Sequence, residues 1–86
     1  MSLLSENVIP GKQGRVFETN ALKKKDLKKI KHKILELEGI TDAHIDYEKF
    51  PPEISIYTNK LVTVKDIESK VEVLGFHLIP KGIFRI

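Results

Sequence analysis

Leu27, Ile30, Ile34 and Leu37 recur at intervals of three, four and three, which puts them on one side of a helix running from about Lys23 to Glu38. Gly39 then supplies the residue without a Cβ that helices favour just past their end. A second stripe, Val64, Ile67, Val71 and Leu74, predicts another helix, capped by the Thr63 hydroxyl, favoured by Asp66 in its first turn and ended by Gly75. Between the helices the period changes to two. Ala43, Ile45 and Tyr47 alternate with His44 and Asp46 in Ile40–Tyr47, and Ile54 and Ile56 alternate with Ser55 and Tyr57 in Glu53–Tyr57, the pattern of half-buried strands. Pro51 and Pro52 make Glu48–Pro52 a connecting loop. Arg15–Thr19, with Val16, Phe17 and Thr19, favours an extended chain before the first helix. Phe76–Ile79 supplies a last strand stopped by Pro80, and Lys81–Ile86 can add a further extended piece.

The order is β-α-β-β-α-β, which predicts an α+β, ferredoxin-like two-layer sandwich: an antiparallel four-stranded sheet with two helices on one face. By parity Ala43, Ile45, Ile54 and Ile56 lie under the helices, while His44, Ser55 and Tyr57 look out from the open face. Residues 1–14 show no period and contain Pro10, Gly11 and Gly14, so they are expected to form a flexible N-terminal arm, with the domain spanning 15–86.

At 86 residues the chain has room for one small core and none for a second lobe beside a substrate cleft. It contains no cysteine, which removes disulfides, thiolate metal sites and thiol nucleophiles together. No apolar run approaches the ~20 residues of a membrane span and no basic-then-apolar leader is seen, so membrane insertion is not expected and the cytoplasm is the expected compartment.

The net charge of +3 hides a strong asymmetry. Lys23–Lys33 holds seven lysines against Asp26, whereas Ile34–Ile79 holds nine acids against four lysines. Such a field orients an approaching acidic partner. Lysines at the start of a helix also work against its dipole, at a cost of about 0.3–1 kcal/mol each, so their accumulation there points to a use.

Phe17-Glu18-Thr19-Asn20 leading into the first helix, Gly39-Ile40 opening the second strand, Ile45-Asp46 further along it, and Gly75-Phe76 after the second helix together resemble the heavy-metal-associated family, which includes copper chaperones and the metal-binding domains of transport ATPases. The resemblance covers about Arg15 to Leu78. It implies a Cys-x-x-Cys metal loop ahead of the first helix, and the equivalent positions here are Lys23 and Asp26. An ammonium group has no lone pair to offer, and a lone carboxylate is a poor ligand for soft copper or zinc. What the resemblance carries over is therefore the fold and the docking surface around that loop, without the metal site.

The expected role is that of a small non-enzymatic module acting through protein contacts in a metal-handling context, with no cofactor. Lys23, Lys24, Lys25, Lys28, Lys29, Lys31 and His32 are the candidate partner-binding residues, and an acidic protein surface is the expected partner. The alternative is copper or zinc held by unconventional ligands, His44 being the weak candidate, or at an oligomer interface. His32, His44 and His77 lie on separate elements without metal-motif spacing. Non-specific nucleic-acid binding by the lysines is a third reading, and it lacks the stacking aromatics that single-strand binders present, since the open face offers Tyr57 and little more. Exposed strand edges at Ile40–Tyr47 or Ile83–Ile86 leave pairing with a second copy open. No nucleophile motif or phosphate loop is present.

Overall fold

A computed structural model describes Asn7, Val8, Pro10 and residues 14–81. Among these residues eight elements follow in order: β1 Asn7–Val8, β2 Arg15–Thr19, α1 Lys24–Leu35, β3 Ile40–Asp46, β4 Glu53–Thr58, β5 Val62–Thr63, α2 Val64–Glu72 and β6 Leu78–Pro80. The main sheet is antiparallel in the order β3-β4-β2-β6. Each β-α-β half thus has its two strands separated by a strand of the other half, the interleaving of a ferredoxin-like sandwich.

One face of this sheet is dry. Phe17, Ala43, Ile54, Ile56 and Leu78 from alternate strand positions join Leu27, Ile30 and Ile34 of α1 and Val64, Ile67 and Val71 of α2 in a single core. Both helices therefore cover the same face. The parity reading holds for its central residues: Ala43, Ile54 and Ile56 are buried and Ile45 is half-buried, whereas His44 is exposed and Ser55 and Tyr57 are half-buried on the open face.

Several element ends differ by one to three residues from those the sequence predicts, the largest difference being at the end of α1. Helix α1 stops at Leu35, three residues short of Glu38, because Glu36 and Leu37 donate their amides to Lys33 and Ile34 in a tightened last turn and Gly39 reverses the chain at φ 97°. The last strand begins at Leu78 instead of Phe76 and includes Pro80, which sits opposite Phe17 on the edge strand. Proline is tolerated at such an edge, where its missing amide hydrogen breaks no ladder.

The segment ahead of Arg15 contributes one short strand. Asn7 and Val8 pair antiparallel with Thr63 and Val62 in a small second sheet, and Val8 is fully buried in the core. A short apolar strand has no periodicity of its own, so its partner alone reveals it. Residues 1–6, 9 and 11–13 of the expected arm, and 82–86 of the tail, lie outside the described residues.

Among the described residues no helix is long and apolar enough to cross a membrane.

Candidate docking end

Three connections meet at one end of the sandwich. The β2–α1 loop, Asn20 to Lys23, and the β3–β4 loop, Tyr47 to Pro52, are joined where the Thr19 amide donates to the Pro52 carbonyl at 3.2 Å. The α2–β6 turn joins them through the His77 amide, which donates to Asn20 Oδ1 at 2.9 Å. Thr19 further fixes the β2–α1 loop, its hydroxyl accepting from the Ala21 amide at 3.3 Å with both residues buried. At the far end, β1 and β5 form their small sheet and Asn59 donates to the Gly39 carbonyl.

Helix α1 begins at this shared end. Lys23 occupies its N-cap position with an extended backbone, its carbonyl accepts the first helical bond from Leu27 at 3.0 Å, and its side chain caps nothing. Asp26 follows in the first turn, where a carboxylate suits the positive end of the helix. These two residues hold the positions that the resemblance assigns to metal-binding cysteines.

Leu27, Ile30 and Ile34 fix the buried side of α1, and at 3.6 residues per turn Lys25, Lys28, Lys29 and His32 fall on the opposite side, all exposed. Lys24 leaves on the β3 side, its ammonium 5.5 Å from the centroid of the Tyr47 ring. Lys31 is half-buried on the same flank. Lys33, the last of the run, points towards α2 and is structural: it lies 3.5 Å from Glu36, which Lys70 of α2 also reaches at 3.4 Å. Those contacts hold the Glu36 carboxyl below the ordinary glutamate range, the Lys70 hydrogen bond being the largest cause and the Lys33 charge the next. Among the described residues, Lys23, Lys24, Lys25, Lys28, Lys29 and Lys31 have no carboxylate within ion-pair distance. Among the described residues, the structure thus separates Lys33, which has a counter-charge at the end of its own helix, from six lysines that have none.

The open sheet face has the opposite sign. Asp46, Glu53 and Glu18 lie directly across from one another on β3, β4 and β2, a row of like charges that would repel. Lys81 intervenes. Its ammonium contacts Glu53 and lies 3.7 Å from Glu18, and the Glu53 hydrogen bond is the main reason its pKa is raised. Asp42 and His44 are exposed further along β3.

His44 and His32 lie on β3 and α1 as the sequence implies, whereas His77, expected in the last strand, lies in the turn just before it. Among the described residues no group of three or more histidine or acidic side chains is arranged to hold a metal ion.

Sequence reasoning missed the apolar half of this end. Leu22 is 61% exposed and Phe50 84% exposed, on the two loops that the Thr19–Pro52 bond joins. Tyr47 and Val73 are exposed as well. The available signal was the absence of periodicity: Leu22 and Phe50 belong to neither a helical stripe nor an alternating strand, so no core position accounts for them.

No family model matches the chain, and no curated protein or solved structure is significantly similar to it.

Proposed function

We propose that the chain is a non-enzymatic, heavy-metal-associated-like module in which charge recognition has replaced metal ligation, and that the loop Asn20–Lys23 and helix α1 dock an acidic protein surface. One observation carries the reading: among the described residues, six lysines at the start and on the outer flanks of α1 have no counter-charge within ion-pair distance. Lys24 and Lys28, and Lys25 and Lys29, are like-charged neighbours one turn apart, each pair costing about 0.2–0.5 kcal/mol. The crowding at the helix start adds to that cost. A partner presenting carboxylates relieves both.

The same lysines would attract nucleic-acid phosphates. The protein reading is favoured because the sheet face, where single-stranded ligands of such folds stack, carries Asp42 opposite Tyr57 and, further along, the row Asp46, Glu53 and Glu18, which Lys81 offsets only in part. A phosphate backbone is repelled there.

The test is direct. Fluorescence anisotropy of labelled polyglutamate at low ionic strength is compared for the parent chain and for the variant Lys24→Glu, Lys25→Glu, Lys28→Glu, Lys29→Glu. Loss of binding in the variant is expected, because salt screening is weakest there and the four charges dominate the local field. Equal affinity of the two proteins would remove the basis of the proposal.

A further inference from the structure

Resting on that docking reading, we infer that the partner surface is not simply acidic: it contains an apolar pocket rimmed by carboxylates, which receives Phe50 and Leu22. The chemistry of the end itself defines this. Phe50 is 84% and Leu22 61% exposed, on loops held together by the backbone bond from Thr19 to Pro52. Lys23, Lys24 and Lys25 follow Leu22 directly, and Lys49 precedes Phe50. An aromatic and an aliphatic side chain, presented on a braced support with lysines next to each along the chain, is the arrangement of an interface centre with a charged rim. Apolar burial supplies the affinity that exposed ion pairs alone do not, while the lysines steer the encounter and fix orientation.

Geometry favours a protein over a lipid surface. Asp46, the last residue of β3, and Glu48 are exposed on either side of Tyr47, and the Asp46 carboxylate accepts from the Glu48 amide at 3.1 Å, which holds that carboxylate against the loop. Anionic headgroups would meet those charges at close range. A protein pocket can place a donor against them.

Two anionic polymers separate the contributions: polyglutamate, and a random glutamate–tyrosine copolymer that adds apolar rings to the same charge. The parent chain is expected to bind the copolymer at least about fivefold more tightly, the gain coming from ring burial. The double variant Leu22→Ser, Phe50→Ser changes only exposed positions. It should bind both polymers alike, the preference for the copolymer being lost. Equal binding of the two polymers by the parent chain, or a copolymer preference that survives in the variant, overturns this inference and leaves the lysine surface standing. Failure of the parent chain to bind either polymer defeats the underlying docking reading as well. Vesicles of phosphatidylcholine with phosphatidylserine form the third arm. Phe50-dependent vesicle binding without copolymer preference would reassign the surface to membranes.

Discussion

The Lys24 ammonium stands 5.5 Å from the centroid of the Tyr47 ring, so the first turn of α1 and the loop after β3 are in contact through a cation and an aromatic face. Such a pair at an exposed site contributes about 0.5–1 kcal/mol. Its position matters more than its strength. Together with the Thr19–Pro52 backbone bond, it keeps the basic helix start and the exposed Phe50 tip on one support.

The N-cap of α1 is a test of whether this end is shaped for stability or for use. Serine and aspartate are good caps and lysine is not, and the Lys23 side chain caps nothing. Lys23→Ser is expected to raise stability by about 0.5–1 kcal/mol through a new bond to a free first-turn amide. The same change should weaken polyglutamate binding. Urea midpoints and anisotropy measured on one preparation read both effects, and a variant that gains affinity along with stability would contradict the account.

Val8 lies within the core although it falls in a segment without pattern. Val8→Ala removes two methyl groups from a fully buried site, for an expected loss of about 2 kcal/mol. A chain of this size has about 5–10 kcal/mol in all, so the shift in the unfolding midpoint should be plain. An unchanged midpoint would mean that β1 contributes nothing to the folded state.

The Glu36 carboxylate joins α1 to α2 through Lys33 and Lys70, and its pKa is lowered by them. A carboxyl with a depressed folded-state pKa stabilises the fold above its unfolded value, and that contribution disappears as pH falls through the folded value. Unfolding free energy should therefore decline on acidification below about pH 4.5, and Glu36→Gln should make that decline shallower. The group is solvent-exposed, so the difference is small. Lys81, whose pKa is raised by Glu53, acts at the opposite extreme: its contribution holds below the ordinary lysine range and is lost as pH rises through the folded value. Denaturant titrations at several pH values check both limbs.

The fold was legible because its elements are local and periodic. The Leu27, Ile30 and Ile34 stripe, the alternation around Ala43 and Ile54, and the Thr63 cap, whose hydroxyl accepts from the Asp66 amide at 3.1 Å, all express their structure within one or two turns of chain. What sequence could not give was anything that depends on a distant partner. Val8 acquires its meaning from Val62. The positions of the lysines on α1 were equally plain, as was the three-residue spacing of Lys33 and Glu36, but only the packing of α1 against α2 brings Lys70 to Glu36. Leu22 and Phe50 lie nearly thirty positions apart, and the closure of β2 onto β4 is what brings their loops to one end.

The most direct measurement of the central claim is a residue-resolved one. Amide chemical shifts followed during titration with polyglutamate at low salt should move from Leu22 through His32 and at Tyr47–Phe50, while the amides of β1, β5 and the outer edge of β3 stay in place. Shifts concentrated on β3, or none at saturating polymer, would contradict a docking end built on α1.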